Sequence, residues 1–148
     1  MTIIVWDGVT LAADKLCSIG GLSATVNKLF RIDTGPFAGS IGGGSGDASS
    51  INEFVKWLRD GADMDKIPKF QTDKDDYVNF ILINAQKEIW RFDRGAFPYM
   101  VEDEYHASGS GRDYALAAMY CGKTAAEAVE IASIFETGCG RGVDTLTL

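Results

Sequence analysis

Residues 1–16 read MTIIVWDGVTLAADKL, and the reading of this stretch decides the fold. Thr2 to Trp6 and Val9 to Ala13 are rich in β-branched and apolar residues. They flank Asp7-Gly8, a pair suited to a two-residue type I′ turn, whose central positions need positive φ. The pattern predicts a β-hairpin that begins at the second residue. Chain ends fray unless a sheet ties them down, so a strand this good at residue 2 points to a use for the end itself.

The bulk properties restrict what that use can be. The chain of 148 residues is 46% hydrophobic and 24% charged, the size and balance of one globular domain spanning residues 1–148. No apolar run approaches the roughly 20 residues that cross a bilayer, and the start lacks the basic region and small-residue cleavage site of a secretory signal. A cytoplasmic protein is expected, with no membrane partner. Three cysteines, Cys17, Cys121 and Cys139, form no CxxC pair and fit reduced thiols. A net charge of -7 is the wrong sign for a phosphate-backbone footprint, so no nucleic-acid partner is expected.

Beyond the hairpin, Val26 to Ile32 reads as a strand, and residues 34–47, TGPFAGSIGGGSGD, as a turn and a short strand ending in glycines. ASSINEFVKWLRDG, residues 48–61, sets Ile51, Phe54, Val55 and Leu58 on one helical face behind Asp47 as cap. Residues 62–76, ADMDKIPKFQTDKDD, read as a loop. Tyr77 to Asn84, Glu88 to Asp93 and Ala96 to Val101 read as a strand meander. A helix is predicted over Arg112 to Cys121, another behind the Thr124/Glu127 capping box to about Phe135, and a final strand in the tail. The fold class is α+β, antiparallel sheet covered by helices.

Three glycine clusters invite a phosphate-loop reading: GGGSGD (residues 42–47), GSGRDY (109–114) and GCGRGVD (138–144). None carries the Lys-Ser/Thr pair of a P-loop or the strand-turn-helix setting of a dinucleotide site. Tight turns and close backbone approach explain them, as would backbone N–H groups offered to an oxyanion. His106 is the single histidine, with no triad pattern beside it, and one histidine with scattered cysteines makes no zinc set. No metal or cofactor is expected. The acidic runs in residues 62–76 read as solvated loop. A threonine at the chain end carries its own base, because a free α-amine with a pKa of about 7.7–8.0 lies beside the hydroxyl. Thr2 gains that amine on removal of Met1, which a small second residue permits.

Four segments in order, MTIIVWDGVTLAAD (1–14), VNKLFRI (26–32), FAGSIGGGSGDA (37–48) and ASGSGRDYALAAM (107–119), resemble successive motifs of HslV and of proteasome β-subunits, the N-terminal nucleophile hydrolases. The resemblance implies an αββα sandwich of two antiparallel sheets. It makes Thr2 the nucleophile, Lys28 the catalytic lysine, Asp14 the carboxylate supporting that lysine, and Ser110 the serine beside the terminal amine. Gly43 matches the glycine whose N–H forms the oxyanion hole, and the pocket near Ile41 and Gly42 would set side-chain preference. Glu136 and Cys139 fall where the family tends to carry an aspartate and a serine near the threonine.

The implied activity is a threonine-type peptidase cleaving peptides or unfolded proteins through an acyl-enzyme. The implied assembly is a homo-oligomer whose geometry is left open, a ring being the form that in the family docks an unfoldase ATPase. Residues 62–76 stand where the family has a second long helix that helps build such contacts, so one helical layer is expected to be reduced. A second reading is a catalytically inactive proteasome-like scaffold with Met1 retained, serving assembly or partner binding.

Overall fold

In the computed structural model the first hairpin forms as the pattern predicts. Strand β1 (Ile3–Trp6) pairs antiparallel with β2 (Leu11–Asp14), Ile4 opposite Ala13 and Trp6 opposite Leu11. The turn is wider than the two-residue form expected from Asp7-Gly8. Gly8 takes φ +97°, but Asp7 does not enter the positive-φ region. Its Oδ1 instead accepts the N–H groups of Val9 at 2.9 Å and Thr10 at 2.8 Å, a side-chain turn that replaces the backbone one.

The structure describes residues 1–71 and 78–148, which cluster into two units: Met1–Leu29 with Asp103–Thr147, and Phe30–Glu102 with Leu148. In the first, β1 and β2 are flanked by β10 (His106–Gly109) and β11 (Val143–Leu146), in the order β10-β1-β2-β11, all antiparallel. Strands β3 (Leu16–Ile19) and β4 (Leu22–Thr25) form a separate two-stranded ribbon turning at Gly20-Gly21. The predicted strand from Val26 is therefore shorter. Its first residues leave the ribbon, and regular pairing starts only at Leu29.

Helices α2 (Arg112–Tyr120) and α3 (Ala125–Phe135) pack on the sheet face that presents Ile3 and Val5, alternate residues of β1. Their contact residues are mostly small: Ala115 and Ala118 from α2, and Ala125, Ala128 and Ala132 from α3. The capping box forms as predicted, with Thr124 Oγ1 accepting from Glu127 N at 3.2 Å and Glu127 Oε1 accepting from Thr124 N at 3.3 Å. The Thr124 backbone hydrogen bond first, then that of its hydroxyl, holds the Glu127 carboxyl below its ordinary value of 4.5. A carboxylate with a depressed folded value contributes fully above its unfolded pKa, and the contribution is lost as pH falls through the folded one. Glu127→Gln is thus expected to flatten the acid side of a plot of Tm against pH below 4.5. Thr124→Ala should lower Tm by about 3 °C at neutral pH.

The second unit is a five-stranded antiparallel sheet in the order β5-β6-β7-β8-β9: Leu29–Ile32, Ser40–Ser45, Asn79–Ile83, Ile89–Phe92 and Tyr99–Val101. Helix α1 (Ala48–Arg59) starts at Asp47, whose Oδ2 accepts from Ser50 N at 2.9 Å. It buries Ile51, Phe54, Val55, Trp57 and Leu58 against Ile32, Phe80, Leu82 and Phe92. The glycines of β6 have a packing reason. A Cβ on Gly42 would lie 2.4 Å from the Phe80 ring, and one on Gly44 would lie 2.9 Å from Ile51. Where the resemblance places a second long helix, the described part of residues 62–76 forms two single 3-10 turns, Met64–Lys66 and Lys69–Gln71. The remainder of that predicted loop, and Tyr77 at the start of the predicted strand, lie outside the described residues. Among the described residues no helix is long and apolar enough to cross a membrane.

Candidate active site

The strand order places the predicted residues of the first unit around the chain end. β1 is central and its register sets Ile3 opposite Gly109. Thr2 therefore enters the sheet beside the turn that joins β10 to α2. The approach requires glycine: Gly109 has φ +96°, and a Cβ there would sit 2.0 Å from the Thr2 carbonyl oxygen. From the same turn Gly111 N donates to that oxygen at 3.4 Å, and Ser110 Oγ accepts from Thr2 N at 3.3 Å.

Asp14 ends β2 and is fully buried. A buried carboxylate is tolerated only with partners, and this one has four donors. Oδ1 accepts from Lys28 Nζ at 2.8 Å and Ile3 N at 3.0 Å; Oδ2 accepts from Gly140 N at 3.0 Å and Leu16 N at 3.2 Å. Lys28 is 7% exposed and sits just ahead of β5, where Asn27 turns the chain by hydrogen-bonding Leu29 N and O. Beyond Asp14 its ammonium donates to Thr2 Oγ1 at 3.4 Å and to the Met1 carbonyl oxygen at 3.1 Å. The geometry thus joins a hydroxyl, a lysine and a carboxylate in one buried line, with a serine hydroxyl on the nitrogen of the same threonine.

Cys139 completes this group, its Sγ 3.7 Å from Ser110 Oγ. Burial pushes the thiol above its ordinary range against the weaker pull of the Ser110 hydrogen bond. Glu136 is placed differently. It caps the C-terminus of α3 and turns its carboxylate on Gly138 N at 3.3 Å, shaping the loop that carries Cys139. Gly43, Ile41 and Gly42 all lie on β6 in the second unit; Gly42 faces the Phe80 core, so Gly43 and Ile41 alternate to the opposite face. His106 lies on β10 opposite Trp6. Among the described residues no cluster of three His, Cys, Asp or Glu could hold a metal ion. The backbone donors to Asp14 from Gly140, Leu16 and Ile3 were beyond sequence reasoning, because any residue supplies an N–H. The glycines around Cys139 were the available signal that backbone comes close there.

Antiparallel sheets with this strand order and these helices compose an α+β fold of the HslV type. The similarity extends over the whole chain. The eukaryotic HslV of Trypanosoma brucei superposes with a TM-score of 0.66 and 22% identity, over 99% of this chain and 98% of that one. BPH of Thiobacillus denitrificans superposes with a TM-score of 0.72 and 18% identity, covering 99% and 96%. The same protein in complex with epoxomicin gives 0.70 and 18%, covering 99% and 97%. No family model and no curated protein matches the sequence.

Proposed function

We propose that the protein is a threonine peptidase that becomes active when Met1 is removed. The observation that carries the proposal is the position of the Lys28 ammonium, 2.8 Å from Asp14 and 3.4 Å from Thr2 Oγ1, with Ser110 3.3 Å from Thr2 N. A scaffold needs no buried ion pair aimed at a terminal hydroxyl.

While Met1 is attached, Thr2 N is an amide and has no basic lone pair. Hydrolysis of the Met1–Thr2 bond converts it into an amine whose ordinary pKa of about 7.7–8.0 suits a base at neutral pH. That amine takes the Oγ1 proton as the oxygen attacks the substrate carbonyl. Lys28 stabilises the developing negative charge on Oγ1, and Asp14 fixes Lys28 there. The backbone N–H of Gly43 takes the oxyanion role that the resemblance gives it, and Ile41 and Gly42 that of the side-chain pocket. The amine then returns its proton to the leaving nitrogen. Water, activated by the same amine, hydrolyses the threonyl ester.

The substrates in this reading are peptides or unfolded proteins, in the cytoplasm, where a homo-oligomeric ring would confine the activity. A peptidase should cleave varied peptides, whereas an amidase of the same chemistry would take one small amide. The test compares two preparations on a fluorogenic peptide library: chain with Met1 removed, and chain purified with Met1 retained. Turnover by the first and at least about a thousand-fold less by the second is expected, since the second lacks the base. Equal absence of turnover in both favours the inactive scaffold.

A further inference from the structure

Lys28 reaches Asp14 and Thr2 Oγ1 together, yet its own backbone lies in no strand. β4 ends at Thr25 and β5 starts at Leu29, and Val26, Asn27 and Lys28 connect them. A lysine carries its ammonium on a flexible four-carbon stem, so where that charge comes to rest depends on what holds the main chain. Ahead of Lys28 the hold is a backbone hydrogen bond: Val26 N donates to the carbonyl oxygen of Lys15, the residue after Asp14, at 2.8 Å. Across Lys28 it is a side chain. Asn27 Nδ2 donates to the Leu29 carbonyl oxygen at 2.6 Å, and Asn27 Oδ1 accepts from Leu29 N at 3.3 Å.

This bracket has a single direction. An amide carries its donors at one end and its acceptor at the other, while Leu29 offers one N–H and one C=O. A flipped Asn27 would set donor against donor and acceptor against acceptor. Leu29 is 4% exposed, and the polar backbone of a buried residue needs partners; the Asn27 amide supplies one to each group. The ring closed in this way runs from the exposed Asn27 to the peptide groups of Leu29, and Lys28 is the residue inside it.

The Lys28 ammonium has three acceptors: Asp14 Oδ1 at 2.8 Å, the Met1 carbonyl oxygen at 3.1 Å and Thr2 Oγ1 at 3.4 Å. Removal of Met1 takes the second away. Of the two that remain, the charge-assisted contact with Asp14 survives a small shift of the main chain, whereas the longer one with the hydroxyl does not. We propose that Asn27 is a positioning residue for Lys28, its amide clamp on Leu29 keeping the ammonium within reach of Thr2 Oγ1 as well as of Asp14. This rests on the reading of Thr2 Oγ1 as the nucleophile. A simple side-chain turn would need only the acceptor oxygen, which aspartate supplies as well as asparagine; the clamp needs the donor too.

The experiment uses protein with Met1 removed and compares Asn27→Ala and Asn27→Asp with Thr124→Ala, a destabilising helix-cap control. kcat and KM on a peptide are measured together with Tm, and crystal structures of the variants give the distance from Lys28 Nζ to Thr2 Oγ1. Asn27→Ala should reduce kcat about tenfold with KM within about twofold, and open that distance beyond about 4 Å while the Asp14 contact stays. Asn27→Asp should do the same, since an ionised carboxylate cannot donate to the Leu29 carbonyl oxygen. Thr124→Ala should lower Tm and leave kcat and the distance as they were. An unchanged distance or an unchanged kcat in Asn27→Ala overturns the proposal. So does an Asn27→Asp variant that behaves like the unaltered protein, or an equal loss of kcat in Thr124→Ala. The distance needs no turnover, so protein that cleaves no peptide in any form, but whose ammonium leaves the hydroxyl in both Asn27 variants, would refute the peptidase and leave the clamp standing.

Discussion

Thr2→Ala is expected to abolish peptide hydrolysis, by at least about four orders of magnitude, while stability changes by no more than about 1 kcal/mol. The reason lies in the asymmetry of what the hydroxyl does. Its hydrogen bond from Lys28, at 3.4 Å, is the longest of that ammonium's three, and without it Lys28 still reaches Asp14 at 2.8 Å. No buried charge is stranded. The chemistry, by contrast, loses the atom that forms the bond to the substrate. Initial rates on a peptide substrate and a urea melt of the same preparation separate the two quantities, and Thr2→Ser, which keeps the hydroxyl, should retain turnover.

Lys28→Ala is expected to fail in both respects. Asp14 is fully buried, and removal of the lysine leaves its charge with three backbone N–H donors and no cation. Breaking one side of a buried ion pair costs about 3–5 kcal/mol, several times what a surface pair contributes. Activity should disappear with it, because nothing else cationic reaches Thr2 Oγ1 within the described site. The double replacement Asp14→Asn with Lys28→Met removes both charges and keeps the volume. It should recover much of the stability and none of the activity. Denaturation midpoints for the two singles and the double would show the coupling directly; independent, additive losses would contradict a paired role.

Much of this arrangement is legible in the sequence because it rests on local signals. Asp47 and the Thr124/Glu127 pair are helix caps set by spacing alone, and the stripe Ile51, Phe54, Val55, Leu58 fixes α1 to within a residue of its observed end. The parts that were not legible depend on pairing across long separations. β10 reads HASG, with no β-branched residue, and is a strand because it lies beside β1, some hundred positions earlier in the chain. The β3-β4 ribbon is short and largely exposed, so it shows little apolar alternation, and Gly20-Gly21 is its one turn signal. The site divides in the same way. Thr2, Asp14, Lys28 and Ser110 are marked only by the resemblance of their motifs, taken in order, to a known family, whereas the cradle of backbone N–H groups around Asp14 has no sequence signature. Glu136 carries the acidic residue type expected near the threonine, yet its position at the end of α3 turns it onto the loop of Gly138.

The central claim is that Thr2 acts through its own hydroxyl and a free amine, and intact-mass spectrometry after incubation with a peptide epoxyketone tests it most directly. Protein lacking Met1 should gain the mass of one inhibitor at Thr2, and neither Thr2→Ala nor protein retaining Met1 should gain any. An unmodified Met1-free chain, or an adduct that persists in Thr2→Ala, would contradict the account.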